Sequence, residues 1–245
     1  MRNILVTMMY DGSHFHGWQI QDNAITVQEV FQDALFKVIN EKVDIKGCSR
    51  TDSGVHANMY CVSFHTEHSI PCVRLVAALN RYLPKSVAVT DAKEVDNDFH
   101  ARYSCKGKEY IYKIWNDEIR NPFLDGYAFH YWYKLDVELM DKAAKHFLGK
   151  HDFTSFCTLD NREKGDFTRT VSNISVTSDG AMVTVTIEAD GFLYNMVRII
   201  VGTLLRVAQG KILPEQIPDI INALDRSKAG PTAQPEGLYL NKVKY

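Results

Sequence analysis

Residues 170–190, TVSNISVTSDGAMVTVTIEAD, hold two β-rich runs on either side of Asp179-Gly180. Val, Ile and Thr dominate both runs, and Asp-Gly between such runs is a strong signal for a two-residue hairpin turn. Strands joined that tightly can pair only antiparallel. A doubly wound parallel sheet therefore cannot be the plan of the whole chain. Combined with helical segments on both sides of it, the hairpin argues for an α/β (α+β) architecture with mixed, largely antiparallel sheets.

The remaining pattern fills in two such units. Asn3 to Tyr10 reads as a strand, and a polar, aromatic loop follows it. Thr26 with Glu29 forms a capping box ahead of Val27, Val30, Phe31, Ala34, Leu35 and Val38 at helical spacing. A short strand near Val43 to Lys46, a strand from Met59 to Thr66, a helix opened by Pro71 and a strand from Val87 to Val95 complete the first unit. The second opens with a strand over Lys108 to Asn116. It continues with a helix capped by Asp136 and ended by Gly149, the hairpin, a long apolar helix from Phe192 to Gln209, and a helix from Pro214 to Leu224. The chain closes on the strand GLYLNKVKY. The boundary falls near residue 98, giving halves 1–97 and 98–245.

At 245 residues, 45% hydrophobic and 24% charged, the chain has an ordinary globular composition. The apolar run from Phe192 is broken by Asn195, Arg198 and Arg206, short of the roughly 18 apolar residues of a membrane span. Five cysteines lie scattered without a C-x-x-C and with no export signal ahead of them, which suggests reduced thiols and a cytoplasmic location. His14 and His16 have no companions at metal-ligand spacing, so no metal is expected. The formal net charge of −2 supplies no global attraction for a polyanion; any nucleic-acid surface must be a local patch.

Three clusters carry chemistry. The first is CSRTDSGVHA, Cys48 to Ala57. Asp-Ser-Gly alone is ordinary turn chemistry, but Asp52 could also serve as a catalytic carboxylate if a cation keeps it ionised. The second is FLYNMVRIIVGTLL, where Arg198 sits among Met196, Val197, Ile199, Ile200 and Val201. Such an arginine either reaches solvent on the wet face of its helix or meets a carboxylate. The third is FHARYSCKGKEYIYKIW, Phe99 to Trp115, which interleaves cations with aromatics. That mixture suits unstacked bases and phosphates; a strand with a buried aromatic face and a solvated basic face explains it equally.

With YDGSHFHGWQIQ, SRTDSGVHA, FHARYS…YIY, HDFTSF, FLYNMVRIIVGTLL and PEGLYL in this order, the chain resembles the TruA-type tRNA pseudouridine synthases over nearly its whole length. The second segment matches the motif usually written G-R-T-D-A-G-V-H-A. Ser49 and Ser53 stand where that motif has Gly and Ala, and Glu109 stands where basic residues are frequent.

The resemblance implies the pseudouridine synthase fold, two similar α/β halves joined in one continuous sheet with a cleft across its middle. It implies that Asp52 is catalytic, that Tyr110 packs against the target uracil, that Arg198 pairs with Asp52, and that Arg50 lies beside the flipped nucleotide. It further implies a homodimer, no cofactor, and the anticodon stem-loop of tRNA as substrate. Arg102, Lys106, Lys108 and Arg206 are the candidate RNA-binding cations, with Arg162 and Lys164 as further members of the patch. The residues alone also allow an RNA-binding module without turnover, a synthase acting on ribosomal RNA, a hydrolase using Asp52 and His56, or a thiol enzyme using Cys48.

Overall fold

The computed structural model describes residues 1–159 and 165–245, so Arg162 and Lys164 lie outside the described residues. The chain divides into two compact units, Met1–Lys106 with Tyr239–Tyr245, and Gly107–Leu238. A single cut near residue 98 differs from this division in residues 98–106 and in the C-terminal strand, both of which belong with the N-terminal residues. Both units are mixed α/β.

The first unit contains β1 (Arg2–Tyr10), α1 (Val27–Ile39), β2 (Lys46–Gly47), β3 (His56–Thr66), α2 (Cys72–Tyr82) and β4 (Val87–Val95). β1 runs antiparallel to both β3 and β4. Its residues Asn3 to Val6 are buried in succession rather than alternately, the mark of a strand covered on both faces. The other edge of β3 is shared. β2 pairs antiparallel at Val62 and Ser63, and the C-terminal strand (Leu238–Lys244) pairs parallel at His56 and Ala57. α1 begins where Thr26 Oγ1 accepts the Glu29 N–H at 3.4 Å, and stops at Asn40 in the left-handed region. It buries Val27, Phe31, Ala34, Leu35 and Ile39. In α2 the stripe is narrower than the spacing suggests: Leu75 and Leu79 are buried, but Val73 is 84% exposed.

The second unit contains β5 (Gly107–Trp115), β6 (Phe129–His130), α3 (Val137–Ala144), β7 (Gly149–Asp152), β8 (Thr168–Asp179), β9 (Met182–Ala189), α4 (Met196–Ala208) and α5 (Ile217–Asn222); the C-terminal strand is then β10. Strands β5, β9, β8 and β7 follow one another in that order, each antiparallel to the next, and β6 adds a parallel pairing on β5. α3 packs on β8 and on α4. The hairpin turn lies one residue later than the sequence suggests. Asp179 is the last ladder residue, opposite Met182, so the turn is Gly180-Ala181. A type I′ turn at Asp-Gly needs positive φ at both positions; here Gly180 alone has it, at +56°, the pattern that places Gly first in a type II′ turn.

α4 is buried around most of its circumference. It starts at Met196 rather than Phe192 because Asn195 holds a left-handed φ of +62°, which no helix continues. Against it lies a strap, residues 230–233. The Gly230 N–H donates to Thr203 Oγ1 at 2.9 Å, and that hydroxyl donates to the Ile199 carbonyl at 2.8 Å. The approach is backbone to backbone. A Cβ on Gly202 would overlap the Pro231 carbonyl oxygen, and one on Gly230 would come within 2.6 Å of the Gly202 carbonyl carbon.

Gly202→Ala should therefore force strap and helix apart and destabilise the protein by about 1–3 kcal/mol, the usual cost of overpacking. A chemical-denaturation midpoint checks it; an unshifted midpoint means that the strap yields without penalty.

Candidate active site

Asp52 sits in the first unit, in the irregular segment between β2 and β3, and is half-buried. Such a segment has no ladder of its own, so its backbone polar groups need partners elsewhere. The stretch from Tyr10 to Trp18 supplies many of them. The Trp18 N–H donates to the Thr51 carbonyl at 3.1 Å, and the Gly54 N–H donates to the Phe15 carbonyl at 3.3 Å. Tyr10 Oη and Thr51 Oγ1 share a hydrogen bond of 2.8 Å. On the other side Tyr60 Oη donates to the Ser49 carbonyl. The Val55 N–H closes the turn on the Asp52 carbonyl at 3.2 Å.

Two glycines make this approach sterically possible. Gly12 lies against the Val55 carbonyl, and Gly17, at φ +84°, lies against the Thr51 carbonyl; a Cβ on either would overlap that oxygen. Below them the Trp18 and Tyr60 rings stack 4.3 Å apart, and Gly47 leaves the room they occupy. Arg50, two residues before Asp52, is exposed.

His56 and Cys48 have structural surroundings. His56 is 2% exposed, stacks on Tyr239 at 4.5 Å, and accepts the Gly12 N–H on Nδ1 at 3.0 Å. Nδ1 also lies 3.3 Å from Asp11 Oδ1. Cys48 is fully buried, with its N–H on the Cys61 carbonyl at 2.9 Å. Both side chains are buried.

The second unit carries Tyr110 and Arg198. On β5, Tyr110, Tyr112 and Ile114 alternate inward, while Lys108 and Lys113 are partly exposed. Tyr110 meets Phe192 edge to face at 5.0 Å. Tyr112 is wholly buried, with Oη donating to the Gln234 carbonyl at 2.7 Å. Burial pushes its phenol well above the ordinary value. Burial likewise raises the Glu236 carboxyl, against the opposing pull of Arg198.

Arg198 leaves the first turn of α4, and hydrogen bonds to the strap and to Asn195 help to hold it. Nε donates to the Ala233 carbonyl at 2.7 Å, and Nη1 donates to Asn195 Oδ1 at 2.9 Å. The Ala233 N–H returns to the Arg198 carbonyl at 3.1 Å, so the strap grips this residue by side chain and backbone. Asn195 is fixed in turn, its Nδ2 donating to Thr158 Oγ1 at 2.9 Å.

A family model described as tRNA pseudouridine synthase matches residues 6–104 and 143–245. The chain belongs to that family. The synthase is 47% identical to the tRNA pseudouridine synthase A of Thermoanaerobacter sp. (strain X514), across all of both chains. It is 46% identical, again across all of both chains, to the tRNA pseudouridine synthase A of Acetivibrio thermocellus and to the tRNA pseudouridine synthase A 2 of Clostridium perfringens. Its reaction is the isomerisation of uridine to pseudouridine in tRNA. Among the described residues no group of three or more His, Cys, Asp or Glu is placed to hold a metal ion, and no helix is long and apolar enough to cross a membrane.

Of the cations named from the sequence, Arg102 and Lys106 are exposed in the first unit, Arg102 with its guanidinium 5.8 Å from the Tyr103 ring centre. Lys108 and Arg206 are half-exposed in the second. The residues that sequence reasoning missed are those that hold the others: Gly12, Gly17, Trp18 and Tyr60 around the Asp52 segment, and Asn195 and Ala233 around Arg198. The one local signal for Asn195 was an asparagine just ahead of an apolar helical run, a residue type that tolerates positive φ.

Asn195→Ala removes the Nη1 acceptor, and pseudouridine formation should fall about tenfold, the equivalent of one charge-assisted hydrogen bond. Turnover at the wild-type rate in a tRNA tritium-release assay would show that Asn195 does not set the orientation of Arg198.

Proposed function

We propose that the uridine isomerised by this synthase lies in the anticodon stem-loop of tRNA and that Asp52 is the group that attacks it. The observation that carries this reading is the half-buried Asp52 carboxylate, on a segment pinned through Ser49, Thr51 and Gly54. The SRTDSGVHA motif supports the same assignment.

The uridine leaves its stack at a cost of a few kcal/mol, less from a loop than from a stem. Arg50, exposed just ahead of Asp52, fills the vacated space or grips the neighbouring phosphate. Tyr110 offers a face to the extruded base. Arg198 pairs with the Asp52 carboxylate and keeps it ionised, since an opposite charge favours the charged form. The C1′–N1 bond breaks, the uracil turns, and a C1′–C5 bond forms; the C5 proton leaves to a base and N1 takes one up. Atoms and electrons balance without a co-reactant, in keeping with an enzyme that needs no cofactor. Asp52 enters by attack at C6, by attack at C1′, or by proton abstraction to a glycal.

Arg102, Lys106, Lys108 and Arg206 bind the RNA backbone as local cations on a chain of net charge −2. The enzyme works in the cytoplasm as a homodimer. Support for a partner surface comes from Ile119, Phe123, Trp132 and Tyr133, apolar side chains 57–89% exposed within one short segment.

Asp52→Asn should lower tritium release from tRNA labelled at uridine C5 by more than about a thousandfold, because an amide supplies neither a nucleophilic nor a basic oxygen. Retained release sinks the assignment, and pseudouridines missing from ribosomal RNA rather than the anticodon arm of a deletion strain sink the substrate. Phe123→Asp combined with Trp132→Asp should halve the mass measured by light scattering; an unchanged mass removes that segment from the dimer surface.

A further inference from the structure

Arg206, Lys211 and Arg226 line one cavity of about 320 Å³ in the second unit, and among the described residues no carboxylate contributes to its lining. Arg206 projects from the last turn of α4. Lys211 follows immediately, its N–H on the Arg206 carbonyl at 3.0 Å. Arg226 approaches from beyond α5, its Nη1 donating to the Gly230 carbonyl at 2.8 Å and its Nη2 to Thr232 Oγ1 at 3.2 Å. Those two bonds use two of the five guanidinium donors. Asp225, next to Arg226, accepts the Ser227 N–H on Oδ1 at 2.8 Å. Three like charges around one concavity repel one another until an anion enters. Burial lowers the Arg226 pKa from its ordinary value, as expected of a cation whose lost hydration is not fully replaced.

We propose that this cavity binds a phosphate of the tRNA backbone. Arg206 stands eight residues after Arg198 on α4, about 12 Å along the helix axis. The bound phosphate would then lie a few nucleotides from the target uridine. The proposal rests on the reading of Arg198 as a residue of the reaction site. Gly230 and Pro231, which form one wall of the cavity, belong to the strap that ends at Ala233 on Arg198. Arg226 braces that strap, so a test on Arg226 would mix binding with the positioning of Arg198. Arg206 bonds instead within its own helix end, Nη1 donating to Gln209 Oε1 at 3.4 Å.

The test compares the full-length wild type with an Arg206→Gln/Lys211→Gln double variant. The dissociation constant for tRNA is measured by filter binding over a series of salt concentrations. The slope of log K against log salt should fall in magnitude by about one in the double variant, as for the loss of a phosphate contact. The dissociation constant at low salt should rise roughly tenfold. Arg206→Lys/Lys211→Arg, which keeps both charges, should recover most of the affinity. Wild-type slope and affinity in the double variant overturn the proposal. So does an arm in which inorganic phosphate raises the melting temperature of the wild type alone while tRNA binding is the same in both proteins, since the cavity then takes a small free anion. Wild-type tritium release from labelled tRNA is recorded in parallel. Its absence defeats the functional reading, and a normal rate with an unchanged slope defeats this site alone.

Discussion

A carboxylate can act from a half-buried position only if the chain that carries it cannot drift, and Asp52 lies in a segment with no secondary structure of its own. Its rigidity comes from neighbours. Trp18, Phe15, Tyr10 and Tyr60 bond to the backbone or side chains on either side of it. That contact exists because Gly12 and Gly17 bring one backbone against another where a Cβ would collide with a carbonyl oxygen. The N-terminal segment YDGSHFHGW is thus the mould in which the Asp52 segment is cast. Its two glycines carry as much of the site as the acid does.

The second unit solves a related problem for a cation. Arg198 emerges from a helix buried on most faces, where an arginine without partners would cost several kcal/mol. The strap and Asn195 meet that demand with a carbonyl and a side-chain oxygen, and both fix the direction of the guanidinium as well as satisfying it. The strap depends in turn on Gly202, Gly230 and the Thr203 hydroxyl. In each unit, backbone carbonyls and closely packed glycines help to fix the segment that carries the candidate side chain.

Much of the secondary structure could be read from residue patterns. The limits of β4 and the Asp136 cap of α3 emerged where expected because their determinants are local: β-rich composition in one, a side-chain acceptor at the start of a helix in the other. The misplacements share a cause. The hairpin turn moved to Gly180-Ala181, α4 began four residues late at Met196, and Val73 faced solvent, each because a backbone angle or a packing partner distant in sequence decided between local options of similar energy. Tyr110 and Tyr112 illustrate the same point. Strand alternation put both on one face, but only the fold shows that Tyr112 is spent on the Gln234 carbonyl.

From the sequence alone followed the α/β class with its antiparallel hairpin, the family, and the motifs in which Asp52, Tyr110 and Arg198 stand. These are written in residue types at short spacing, where periodicity, turn chemistry and motif order act. Tertiary structure decided which residues hold those groups in place, how the C-terminal strand joins the N-terminal unit beside His56, and that Arg206, Lys211 and Arg226 surround one cavity. Contacts between residues far apart in the chain, and the steric room that a missing Cβ leaves for a distant carbonyl, have no local signature in a sequence. They come into being only when the backbone has closed on itself.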